Sequence, residues 1–146
     1  MSDPRTAKEA FDPERFMAYV RHLGHGGALG IAYRGHGEDW VELSLPYDEK
    51  LVGMPESGII ASGPIISLMD MATSLAVWTK LGAFRPQATL DLRVDYLRPA
   101  APGRTVIGRG TCFAAKRSVA FVSGIAHEGD QDDPIASVTG TFMVTG

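Results

Sequence analysis

Pro64-Ile65-Ile66-Ser67-Leu68-Met69-Asp70-Met71-Ala72-Thr73-Ser74-Leu75-Ala76-Val77-Trp78-Thr79-Lys80-Leu81 is apolar in nearly every helical direction. A surface helix confines its apolar residues to one stripe, whereas a helix apolar all round is a buried one. The run predicts a helix of about 18 residues, roughly 27 Å long, enough to cross a small domain. Gly82 and then Pro86 end it in the usual order.

One carboxylate, Asp70, stands in the middle of this helix, with Ser67 at i−3 and Ser74 at i+4 on the same face. A carboxylate in apolar surroundings is costly unless it is paired, hydrogen-bonded or protonated. Two readings follow. Asp70 lies on a wet seam and is satisfied by Ser67, Ser74 or water, or it is a functional acid that its site keeps buried. The lead-in Gly58-Ile59-Ile60-Ala61-Ser62-Gly63-Pro64 favours the second. Ser62 or Gly63 suits the N-cap and Pro64 the first helical position. Free N–H groups at that positive end suit an oxyanion. Asp70 follows roughly 10 Å along the axis.

Outward from the helix the chain reads as strands. Ala88–Leu97 alternates, with Leu90, Leu92, Val94 and Tyr96 on one face and Thr89, Asp91, Arg93 and Asp95 on the other. Thr105–Ala115, Val119–His127 and Ile135–Val144 follow, separated by the tight turn Lys116-Arg117-Ser118 and the acidic loop Glu128–Asp133. Upstream, Asp12-Pro13-Glu14 opens a helix over Pro13–Leu23 with Phe16, Met17, Val20 and Leu23 on one stripe, and Gly24 stops it. Ala28–Arg34 and Trp40–Leu45 form a hairpin, and residues 46–63 a loop. Residues 1–12 read as a loose tail. The order helix, two strands, long helix, four strands predicts an α+β domain spanning residues 1–146, its antiparallel sheet of about six strands wrapped around the long helix.

Composition limits the function. At 146 residues, 45% hydrophobic and 21% charged, the chain suits one globular core. A net charge of −3 offers no concentrated basic surface for nucleic acid or anionic lipid. The single cysteine, Cys112, sits in a strand and reads as a small buried hydrophobe, so no disulfide framework exists. The charged N-terminus shows no signal peptide and no run approaches a membrane span, so a cytoplasmic protein is expected. His22, His25, His36 and His127 are scattered and form no metal pattern, and no Gly-x-Ser-x-Gly elbow occurs. His25-Gly26-Gly27 follows the first helix and precedes a strand, and reads as a turn.

Residues 58–72, followed by 88–99, resemble the hotdog-fold thioesterases of the phenylacetate-pathway (PaaI-like) group in the 4-hydroxybenzoyl-CoA thioesterase superfamily. The similarity in element order and spacing runs from about Trp40 to Met143. The family pattern is Gly-x-x-His-Gly-Gly with an Asp nine residues after the His, which places Ala61-Ser62-Gly63 at His-Gly-Gly and Asp70 at the acid. The resemblance implies hydrolysis of acyl-CoA thioesters, with Asp70 as general base or nucleophile. It implies an oxyanion donor in the backbone N–H of Ser62 or Gly63. It also implies a water-positioning hydroxyl in Thr89, supplied by a partner subunit.

The same resemblance suggests Arg98, Lys116 and Arg117 as turn cations for the nucleotide end of coenzyme A, itself part of the substrate, so that no cofactor or metal is needed. It suggests a homo-oligomer, a dimer or a tetramer built of two dimers. Two positions depart from the pattern: Ala61 replaces the family His, and Pro55 replaces an Asn six residues earlier. Both changes remove polar groups that orient the thioester, which keeps a non-catalytic acyl-CoA-binding module as the alternative. Met69, Met71 and Trp78 suit either an acyl tunnel or core packing.

Overall fold

The computed structural model describes residues 3–6 and 9–146. Its elements run α1 (Pro13–Val20), α2 (Gly24–Leu29), β1 (Ala32–His36), β2 (Trp40–Leu45), β3 (Val52–Met54), β4 (Ile59–Ile60), α3 (Ser62–Leu81), β5 (Gln87–Tyr96), β6 (Val106–Ala115), β7 (Val119–His127) and β8 (Ala136–Val144). Six strands form one sheet in the order β1-β2-β6-β7-β8-β5, every neighbouring pair antiparallel, and β3 pairs with β4 in a separate hairpin. This is the hotdog arrangement: α3 lies along the concave face, and its Leu68, Met69, Ala72, Leu75, Ala76 and Val77 are buried against the sheet. Thr73, also buried there, satisfies its hydroxyl by donating to Met69 O at 2.7 Å.

Alternation explains the sheet. Along β8, Ala136, Val138, Phe142 and Val144 are buried, and Gly140 keeps the same inward phase. At Gly110 on β6 the backbone of the helix lies against the strand. A Cβ there would lie 2.6 Å from the Ala72 carbonyl carbon, so only glycine lets α3 pack this near the sheet.

The opposite side of α3 is covered by the N-terminal region. Phe16 of α1 and Phe84 pack on Trp78, with ring centroids 5.5 and 4.5 Å away, and the indole N–H donates to Arg85 O at 2.8 Å. Asp12 caps α1 through the N–H groups of Glu14 and Arg15, as the sequence predicts.

The structure departs from the sequence reading at several points. The first helix ends at Val20, and the expected turn at His25-Gly26-Gly27 is helical, as α2. A Cβ at Gly27 would lie 2.5 Å from the His22 carbonyl carbon, so this residue must be glycine for α2 to fold back on α1. The first strand consequently starts four residues later, at Ala32 rather than Ala28. The expected loop 46–63 contains a 3-10 turn at Glu49–Leu51 and the β3–β4 hairpin. The long helix begins at Ser62, because Ala61 adopts the extended cap conformation and donates its N–H to Leu51 O at 2.8 Å. Of the expected tail, residues 1, 2, 7 and 8 lie outside the described residues, and Pro4–Thr6 forms a 3-10 turn with Pro4 buried. Among the described residues no helix is long and apolar enough to cross a membrane.

Candidate active site

Asp70 is half-buried, on the rim of a cavity of about 240 Å³ between α3 and the N-terminal helices. Phe16, Met71, Leu75 and Trp78 line it with apolar side chains, and His25, Ser67, Asp70 and Ser74 with polar ones. The three residues that fit a tunnel or a core thus separate: Met69 is fully buried against the sheet, while Met71 and Trp78 line the cavity.

Thr89 Oγ1 donates to Asp70 Oδ1 at 2.8 Å, within the same chain. Simple alternation along β5 puts Thr89 with Asp91, on the face away from the helix. A β-bulge overturns that phase: Thr89 pairs with Phe142 and Asp91 with Thr141, which leaves Leu90 as the extra residue. Thr89 therefore shares the inward phase of Phe142 and meets the helix, while Leu90 stands 52% exposed. The hydroxyl reaches Asp70 without a partner subunit. The same edge is tied to α3 again about one turn on, by Gln87 Nε2 donating to Ser74 O at 2.9 Å, and about two turns back, by Tyr96 OH donating to Ser62 O at 2.9 Å.

The serines expected to satisfy Asp70 are engaged elsewhere. Ser74 donates back along its own helix, to Met71 O at 3.0 Å. Ser67 Oγ lies 2.8 Å from His25 Nε2. The His-Gly-Gly triplet thus brings an imidazole to the cavity rim from a separate helix. The sequence shows the triplet, but its role depends on how closely α2 folds against α1 and α3, which local pattern does not encode. The sequence reading missed His25 for that reason.

At the start of α3, Ala61 makes no side-chain cap hydrogen bond, and Ser62 and Gly63 are exposed. Their backbone N–H groups fall in the first turn, where a helix has no internal acceptors for them.

The three turn cations divide. Arg98 is committed to the fold: it pairs with Glu128 at 2.6 Å and Asp133 at 3.1 Å and donates to Pro99 O at 3.0 Å. Glu128 is 6% exposed and also accepts from Ala101 N at 3.0 Å, so this pair anchors the loop after β7. Lys116 and Arg117 are exposed on the β6–β7 turn. Val119 beside that turn faces Met143, which faces Ala88, so the turn lies at the Thr89 end of the sheet.

Two other reactive side chains stay apart from this chemistry. Cys112 is buried, and desolvation pushes its thiol up, away from the thiolate a nucleophile needs. His127 is 3% exposed, burial pushes its imidazole down, and its Nδ1 accepts from Gly129 N at 3.0 Å.

Comparison with known proteins bears on the family and the fold. A family model described as "Thioesterase superfamily" matches residues 57–135, more than half of the chain. The medium/long-chain acyl-CoA thioesterase YigI of Escherichia coli K12 is 29% identical over 163 aligned positions, covering 99% of each chain. A crystal structure of a Pseudomonas aeruginosa protein shares 37% identity and superposes with a TM-score of 0.77, covering 89% of this chain and 94% of the other. The PaaI protein of the Escherichia coli phenylacetic acid degradation operon, at 17% identity, shares the fold with a TM-score of 0.76 over 88% of this chain and 89% of its own. A six-stranded sheet on one long helix, together with the match of its central region, places the chain in the thioesterase superfamily, as a thioester hydrolase of the hotdog fold.

Proposed function

We propose that this chain hydrolyses acyl-CoA thioesters of medium or long acyl chains at the Asp70 cavity. The observation that carries the proposal is the Asp70–Thr89 pair at the mouth of an apolar-walled cavity. The name of the YigI relative points to the same substrate class.

In this reading Thr89 holds Oδ1, so the rest of the Asp70 carboxylate faces the cavity with its lone pairs free to act as a base. Asp70 takes a proton from water while the water oxygen bonds to the thioester carbon. The carbonyl oxygen becomes an oxyanion, held by the N–H of Ser62 or Gly63. When the tetrahedral intermediate collapses, the C–S bond breaks with its electron pair on sulfur, and the proton held by Asp70 passes to the departing thiolate. Direct attack by the carboxylate would instead give a mixed anhydride that water then opens. Lys116 and Arg117 are the cations best placed for the coenzyme A phosphates, since Arg98 is already paired.

One distance favours a homo-oligomer. Gly63 and Asp70 are seven residues apart on one helix, roughly 10 Å along its axis, a span that one carbonyl and one attacking water fill only when fully extended. A second copy seated on β5 would bring its own helix start toward this Asp70. β5 is an edge strand with Leu90, Tyr96 and the adjoining Leu97 exposed.

The test is release of free coenzyme A from short, medium, long and aromatic acyl-CoAs, with light scattering on the same preparation. Turnover highest on medium or long chains, by a dimer or dimer of dimers, is the expected result. Tight acyl-CoA binding without turnover would replace the proposal with a binding module. Full activity in a monomer would remove the two-copy site.

A further inference from the structure

We infer that His25 is a positioning residue for the attacking water, acting through Ser67 on the rim of the Asp70 cavity. The inference rests on the hydrolytic reading of Asp70. A water molecule attacks well only when both of its hydrogens are held, leaving a lone pair aimed at the carbonyl carbon. Asp70 is one acceptor. Ser67, one helical turn before Asp70 on the same cavity wall, is placed to be the other.

A serine hydroxyl is a good acceptor for that second hydrogen only if its own O–H is turned away toward another group. Ser74, on the same face, has that problem solved by its own helix, because its O–H donates to Met71 O at 3.0 Å. Ser67 has an external partner instead: His25 Nε2, 2.8 Å from its Oγ. With the imidazole neutral and its proton on Nδ1, Nε2 accepts the Ser67 O–H, and the serine oxygen presents its lone pairs to the cavity.

The backbone is arranged to bring this imidazole in. Gly26 is buried against Met71, where a Cβ would lie 2.4 Å from the methionine methyl, and Gly27 lies against the His22 backbone. His25 thereby reaches α3 from a different element than the one that starts it.

Four variants test the inference on the intact protein: His25→Ala, His25→Gln, Ser67→Ala and the double alanine variant. His25→Ala is expected to lower kcat on the order of ten- to a hundredfold, with KM within about twofold and an unchanged thermal midpoint, since His25 is exposed. His25→Gln carries an amide oxygen that can accept the same O–H and should recover most of the rate. Ser67→Ala should match the loss of His25→Ala, and the double variant should lose no more than either, because the two side chains act as one unit. Wild-type kcat in His25→Ala, additive losses, or a loss that follows a fall in thermal midpoint would overturn it. An inactive Asp70→Asn beside a fully active His25→Ala would overturn this inference alone. A fully active Asp70→Asn would remove the hydrolytic reading as well.

Discussion

Asp70→Asn is expected to lower kcat by about a thousandfold or more on every acyl-CoA the wild type hydrolyses, with little change in KM or thermal midpoint. The amide keeps the size of the carboxylate and one oxygen to accept the Thr89 hydroxyl, so the rim geometry of the helix should survive. What it loses is the ability to take a proton from water. General-base catalysis contributes roughly 10²–10⁴ in rate, and an attacking carboxylate would contribute at least as much. Asp70 is half-buried with a hydroxyl partner, so its replacement leaves no unpaired buried charge. Coenzyme A release measured with a thiol reagent, together with a thermal melt, separates the outcomes. Turnover within tenfold of wild type would show that the acid lies elsewhere.

The candidate acid was legible in sequence because it sits on one strongly patterned helix. The all-round apolar pattern of residues 64–81 announces burial, and a single Asp in such a run stands out for that reason. The four strands that follow it along the chain were legible for a similar reason, since alternation and turn residues are local signals, whereas their order in the sheet, with β5 beside β8, was not. What escaped depends on tertiary contacts. The phase of Thr89 depends on a bulge at Leu90, and nothing in Ala88–Leu97 distinguishes a bulged register from a regular one. Its inward turn is seen only against β8.

His25 escaped differently. Its glycine neighbours were visible, but they resemble a turn as much as a tight helix–helix contact, and only the approach of His22 and Met71 decides between them. The helix start shows the reverse error. The sequence suits Ser62 or Gly63 to the N-cap, yet Ala61 takes that position and caps by backbone alone. Extended geometry at Ala61 and its bond to Leu51 achieve that, and neither appears in local propensity.

Gly110→Ala is expected to be strongly destabilising for a single added methyl, and to reduce activity through the same displacement. The new Cβ would fall 2.6 Å from the Ala72 carbonyl carbon, 2.7 Å from its oxygen and 2.7 Å from the Thr73 nitrogen. All three are backbone atoms, so no side chain can swing aside. The strand cannot yield either. Gly110 pairs with Val41 on β2 and with Gly124 on β7, so β6 is held on both sides. The helix must therefore lift from the sheet, loosening the contacts of Leu68, Met69 and Leu75.

Overpacking of this kind costs about 1–3 kcal/mol and sometimes more. For a domain of this size that corresponds to a thermal midpoint lower by roughly 3–10 °C. Because α3 carries Asp70 and β5 carries Thr89, lifting the helix also opens the 2.8 Å pair between them, so kcat should fall at temperatures where the variant is still folded. Gly63→Ala is the matching control for stability. A Cβ there meets nothing within 4 Å, its φ is not positive, and alanine favours a helix more than glycine does. Melting curves of both variants decide the matter: a Gly110→Ala midpoint within about 1 °C of wild type would mean that the sheet and helix separate at little cost, and that the close approach at Ala72 does not hold α3 in place.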